Sequence, residues 1–288
     1  VSDDGCHALT VIGFIGSVFS PYYAWARAKG PAQPEDFCAI NVALYSPGAG
    51  RWAMTERAAA SLTRDRDTLR IGPSALHWRD GQLDIMLDEI SVPWLRRIRG
   101  SIRLTAEALP DCIVHLDDAG HHRWRPIAPL ARVEARFDAP ALNWQGHGYF
   151  DMNSGDAPLE QAFDHWHWSR ARRANEALIL YAATRRDGSR FDLALACDRA
   201  GRVLERPAPP RQRLPSTLWR LRREVGGDAD ARPHLVRTLE DSPFYARSLV
   251  QGQWDGEALT MMHESLNLVR FRQRLVQAML PFRMPRRS

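Results

Sequence analysis

The feature that most constrains this chain is an apolar–polar alternation of period two that returns along most of its length. Ser101-Ile102-Arg103-Leu104-Thr105-Ala106-Glu107 alternates in this way, and so does Arg132-Val133-Glu134-Ala135-Arg136-Phe137. Successive side chains of a strand point to opposite faces, so these runs read as strands with one face buried. Turn signals punctuate them. Residues 76–78 and 83–87 flank Arg79-Asp80-Gly81-Gln82, residues 178–184 and 191–197 flank Arg185-Arg186-Asp187-Gly188, and residues 248–254 meet 258–262 across Asp255-Gly256. Asp-Gly tolerates the positive φ values that tight hairpins need. No sustained 3.6-residue period appears before the C-terminal tail. The chain therefore reads as all-β, made of sandwiches or antiparallel barrels.

At 288 residues the chain has room for two such domains. The best boundary is near Pro140, where alternation gives way to Asn143-Trp144-Gln145-Gly146-His147-Gly148, which predicts β domains at 1–140 and 141–288. The start, Val1-Ser2-Asp3-Asp4-Gly5, is hairpin-turn chemistry, so the strand before it is expected to be missing. Residues 8–26 carry no charge. Pro21, Gly13 and Gly16 argue against a membrane span, and the acidic residues before the stretch argue against a signal peptide. It reads as a buried strand over 8–19 followed by an aromatic loop. Residues 205–215 and 226–232 read as loops. In the tail, residues 270–287 mix Phe271, Leu275, Met279 and Phe282 with six arginines. On a helix Phe271, Leu275 and Met279 share a face, which suits either a membrane surface or packing on the chain's own barrel.

Composition narrows the functional classes. The net charge is +5, but Lys29 is the only lysine and 34 acidic residues are spread among the basic ones, so a mixed solvated surface is expected rather than nucleic-acid binding. Cys6, Cys38, Cys112 and Cys197 form no C-x-x-C pair and read as reduced thiols. There is no dinucleotide-binding G-x-G-x-x-G, no Walker loop and no G-x-S-x-G elbow, so no nucleotide cofactor or serine-hydrolase chemistry is expected. His165 and His167, two apart on a strand, could chelate a metal. Histidines beside tryptophans also simply pack and hydrogen-bond, so no metal is assigned.

The densest constellation of polar and aromatic residues is Tyr149-Phe150-Asp151-Met152-Asn153-Ser154-Gly155-Asp156, followed by Phe163 and Trp166 to Arg170. On a strand Tyr149 and Asp151 project to one face and Phe150 to the other. Two readings are open from spacing alone: an acid with a raised pKa among aromatics, or an Asx-turn opening a polar run. His122 and Trp124, also two apart, read equally as core residues or as a second aromatic–polar pair.

Three segments carry a resemblance. SDDGCHALTVIGFIGSVFSPYYAWAR, CAINVALY and GYFDMNSGDAPLEQAFDHWHWSRA resemble the carotenoid 1,2-hydratases of phototrophic bacteria, also called hydroxyneurosporene synthases, and the similarity runs over essentially the whole chain. That family is similar to two-domain lipocalin-like proteins, which implies two tandem lipocalin-like β-barrels with a short C-terminal helix. The resemblance implies cofactor-free addition of water to the terminal C1=C2 bond of acyclic carotenoids such as neurosporene and lycopene. The site it suggests has Asp151 as acid, Tyr149 bonded to it or to water, Trp124 beside the cation and His122 orienting water or taking its proton. Trp166, Trp168 and Phe150 are expected to line the substrate path. An apolar substrate further implies peripheral attachment to the cytoplasmic side of a membrane. A carotenoid carrier without chemistry, or a hydratase or isomerase of another terpenoid, would share the apolar cavity.

Overall fold

The structure is a computed structural model that describes residues 1–287. It is all-β, and the hairpins predicted from Asp-Gly are formed. Asp80 and Gly81 both take positive φ between the strands Ser74–Arg79 and Gln82–Ile90, and Asp255 and Gly256 do so between Tyr245–Trp254 and Glu257–Asn267. This is the φ pattern of a type I′ turn, whose twist matches that of the flanking strands.

Contacts divide the chain into two compact units, each made of separated segments. The first comprises Val1–Ala106, Ala131–Tyr149 and Gln277–Ser288; the second comprises Glu107–Leu130 and Phe150–Val276. The turn at Ala139-Pro140 falls inside the first unit, and the long strands His122–Ala139 and Ala141–Gly155 each contribute to both.

In the first unit Ala8–Ile15, Cys38–Tyr45 and Arg51–Arg57 form one antiparallel run, with Cys38–Tyr45 almost wholly buried. Further strands follow in the order Arg97–Ala106, Gln82–Ile90, Ser74–Arg79, Thr68–Ile71, Leu62–Arg64. In the second unit the order is Val203–Arg206, Arg190–Asp198, Glu176–Arg185, Phe163–Arg172, Glu257–Asn267, Tyr245–Trp254, His234–Asp241. Its core gathers Leu178, Leu180, Ala194, Ala196, Val250 and Met261 under Leu214 and Val225 of a separate two-stranded ribbon.

Four expectations need correction. Among the described residues the sheets are open paths rather than closed barrels. Closure needs two long end strands in matched register. Here the ends are poor partners: Leu62–Arg64 spans three residues, Val203–Arg206 spans four, and His234–Asp241 is broken by two register shifts. Such short or irregular edges resist further pairing. Second, the expected aromatic loop after the first strand is the helix Pro21–Arg27, with the Ser20 hydroxyl accepting from the Tyr23 N–H and proline in the first turn. Third, residues 205–215 are not wholly loop, since Arg211–Leu214 pairs with Arg223–Gly226. Fourth, the tail is not one amphipathic helix. It breaks into Leu268–Phe271, Arg274–Met279 and the 3-10 turn Leu280–Phe282, so Phe271 is buried against Phe244 while Leu275 is 75% exposed.

No helix among the described residues is long and apolar enough to cross a membrane.

Candidate active site

The strand His122–Ala139 starts from a tight turn in which the Gly120 N–H bonds the Asp117 carbonyl and the Leu116 N–H bonds the His122 carbonyl. Apolar and polar residues alternate from there, so His122 and Trp124 turn inward while Arg123 faces solvent. Trp124 is fully buried, and its indole N–H donates to the Asp151 carboxylate at 2.7 Å. A buried indole N–H needs an acceptor, and a carboxylate is a strong one. The strand Ala141–Gly155 carries Asp151 and Asn153 on one face and Met152 and Ser154 on the other.

Asn153 accepts the Tyr181 hydroxyl at 3.1 Å. The Tyr181 ring lies 4.8 Å from that of Trp124 and 5.0 Å from that of Trp166. Phe163 continues the series, 5.4 Å from Trp166 and 5.2 Å from the His122 ring. The result is an unbroken aromatic run, His122–Phe163–Trp166–Tyr181–Trp124, whose last member holds Asp151. Strand register explains the grouping: Trp168 lies opposite Tyr181 and Trp166 opposite Ala183, which puts these side chains on one face of the sheet.

Electrostatics follow from burial. The Tyr181 phenol is pushed well above its ordinary range, first by burial and then by the Asp151 charge, against the opposing hydrogen bonds of Asn153 and Trp166. It is a neutral donor. His122 is buried, with Nδ1 bonded to Asp117 Oδ2 at 2.6 Å and Nε2 to the Ala157 carbonyl at 3.1 Å. Burial acts to raise the Asp117 pKa, but hydrogen bonds from the His122 ring and backbone outweigh it, and the net shift is downward. Gly155 lets the strand pass this pair closely, since a Cβ there would stand 2.9 Å from the His121 carbonyl.

The structure thus brings Asp151, Trp124, His122 and Trp166 together in the second unit. Phe150 has the opposite strand parity to Asp151, and Trp168 is half-buried on the Trp166 face. Tyr149 shares the Asp151 parity and is the last residue of the first unit's middle segment. On the other side of the strand pair, a cavity of about 160 Å³ is lined by Ile113, Arg123, Trp124, Arg125, Met152 and Ser154.

Sequence reasoning missed Tyr181 and Asp117. The signal for Asp117 was a carboxylate opening the turn before His122; Tyr181 gave none, because its place depends on strand register.

His165 and His167 do not face the aromatic run. The buried His167 stacks on His263 at 5.8 Å and bonds Ser265. Ser265 also meets His263 Nε2, and Ser169 meets His263 Nδ1 at 2.8 Å. Burial pushes His167 well down and His263 down to about 3, so both rings are neutral. Among the described residues no three His, Cys, Asp or Glu side chains gather as a metal site.

A carboxylate held by a buried indole, beside rings in tilted and edge-on contact, thus sits on an all-β frame. The sequence profile described as carotenoid hydratase CrtC matches residues 11–288. The chain is 50% identical over 287 residues to an acyclic carotenoid 1,2-hydratase of Thiocapsa roseopersicina, covering 99% of this chain and 71% of that one. It is 44% identical to an acyclic carotenoid 1,2-hydratase of Cereibacter sphaeroides, covering 96% and 98%. A solved structure described as a putative AttH from Nitrosomonas europaea shares the fold, with a TM-score of 0.59 over 80% of each chain at 13% identity. The chain belongs to the carotenoid hydratase family.

Proposed function

We propose that this chain is a carotenoid 1,2-hydratase that adds water across the terminal C1=C2 bond of acyclic carotenoids such as neurosporene and lycopene, by acid catalysis without a cofactor. The observation that carries the reading is the Asp151 carboxyl held by Trp124 at the end of the aromatic run. An unactivated trisubstituted alkene accepts water only after a carbon is protonated. Asp151 gives its proton to C2, the π electrons become the C2–H bond, and the positive charge rests on tertiary C1. Water then bonds to C1, and its surplus proton returns to the Asp151 carboxylate, directly or through a second water.

An acid suited to this step must carry its proton when the substrate arrives. A hydrocarbon chain laid over the carboxyl excludes water and disfavours the charged form. Aromatic faces beside the cation contribute about 0.5–2 kcal/mol each once desolvated; this role is assigned to Trp124, Tyr181 and Trp166. Tyr149, sharing a strand face with Asp151, is assigned to the acid or the attacking water, and Phe150 and Trp168 to the substrate path. Both His122 nitrogens are already bonded. That favours a positioning role, in which His122 ties the Trp124 strand to Asp117 and Ala157, over direct proton transfer from water.

Incubating the protein with lycopene in detergent and chromatographing the pigments tests the proposal. A 1-hydroxy product supports it. Lycopene recovered unchanged but bound to protein would identify a carrier. No binding, together with turnover of a different terpenoid, would move the activity to another substrate.

A further inference from the structure

A separate feature belongs to the first unit. The helix Pro21–Arg27 is fastened to the end of the tail: the Trp25 indole donates to the Gln277 side chain at 3.0 Å, and the Tyr22 hydroxyl to the Met284 carbonyl at 3.1 Å. The two segments, 21–33 and 277–287, contain no acidic residue. Met284 and Leu280 anchor the tail in the core, whereas Phe282 is 69% exposed, Met279 41% and Trp25 36%. Lys29, Arg283 and Arg287 of the same two segments are exposed, the Arg283 guanidinium lying 4.8 Å from the centre of the Trp52 ring. Arg286 differs, since it pairs with the buried Glu56 carboxylate and bonds the Asp36 carbonyl. The two segments therefore combine an indole, a phenyl ring and a thioether with cations and carry no acid themselves, the nearest in sequence being the half-exposed Glu35 and Asp36.

We infer that this face, built from Trp25, Lys29, Met279, Phe282 and Arg283, docks on an anionic lipid bilayer. Aromatic and aliphatic tips interleaved with Lys and Arg have the chemistry of an interfacial anchor, in which apolar groups enter the acyl boundary and cations meet phosphates. The inference rests on the hydratase reading for its purpose, because an acyclic C40 polyene is dissolved in membranes and not in water. Its test does not use the substrate.

The test is co-sedimentation of the full chain with phosphatidylcholine vesicles, with and without phosphatidylglycerol, in the absence of carotenoid. The expected result is binding to the anionic vesicles at low salt and release at high salt. Lys29→Glu with Arg283→Glu should weaken that binding about tenfold or more. Phe282→Ser, at a position 69% exposed, should weaken it with little change in the melting curve. Arg66→Glu, a side chain 94% exposed elsewhere on the first unit, serves as control and should bind as the parent does. Failure to sediment with anionic vesicles, or equal weakening by the control, overturns the inference. So does a vesicle-free dimer that Phe282→Ser abolishes, which would make the face a contact between copies of this chain. An inactive protein that still binds vesicles would refute the hydratase reading and leave the docking face standing.

Discussion

The Trp124–Asp151 bond joins a fully buried ring of the site to a carboxyl at the end of the aromatic run, and substitutions around it have separable consequences. Asp151→Asn keeps the acceptor for the indole but removes the acid, so the fold should persist while hydration falls by about a hundredfold or more. Turnover of lycopene by a purified variant with a parental melting curve checks this, and retained turnover would move the acid elsewhere. Tyr181 separates ring from hydroxyl. Tyr181→Phe loses the hydroxyl's bonds to Asn153 and Trp166, about 1 kcal/mol of stability each, and should keep most activity. Tyr181→Leu loses the face beside Trp124 and should lower kcat about tenfold at similar KM, if the ring stabilises a cation. At this scale the sequence was legible where neighbours in space are neighbours in strand period, as with His122 and Trp124. It was silent on Tyr181, which reaches Trp124 only through the pairing of two strands.

The strand Phe163–Arg172 serves two interiors, because alternate residues face opposite ways. Trp166 joins the aromatic run, while His167 and Ser169 meet His263 and Ser265 on the core side. The two buried histidines are neutral in the fold, and His263 binds a proton only near pH 3, whereas in the unfolded chain it does so near 6.5. Between those values the unfolded state holds more protons, so stability rises with pH. It is full above about pH 6.5 and is lost as pH falls toward 3, by on the order of 1 kcal/mol per pH unit for one such group. Urea melts at several pH values should show the slope, and His263→Gln should flatten it; an unchanged slope would place the pH dependence in other groups.

The C-terminal tail is a second element with a definite duty. Arg286→Ala would leave the Glu56 carboxylate, already pushed up by burial, without its cation, and should destabilise the protein by about 3–5 kcal/mol. A thermal melt would show this, and a shift of less than a degree would contradict it. The run of arginines gave no hint of the difference between Arg286 and Arg283, because Glu56 lies far away in sequence.

At the scale of the molecule, the all-β class was legible because alternation and Asp-Gly turns are local, and the hairpins at Asp80-Gly81 and Asp255-Gly256 formed as read. The open sheet edges were not legible, since closure depends on strand ends such as Leu62–Arg64 finding partners distant in sequence. Nor was the helix Pro21–Arg27 recognised, although Ser20-Pro21 is a good helix start, because the apolar residues around it suited a strand equally well.

The central claim is that Asp151 protonates C2 before water reaches C1, and isotope placement tests it most directly. Lycopene dispersed in detergent should be incubated with the purified protein in D2O, and the 1-hydroxy product examined by mass spectrometry and NMR. The account predicts one carbon-bound deuterium, at C2, with the hydroxyl on C1, and no such product from Asp151→Asn. A hydroxylated product without deuterium at C2, or the same labelled product from Asp151→Asn at the parental rate, would contradict it.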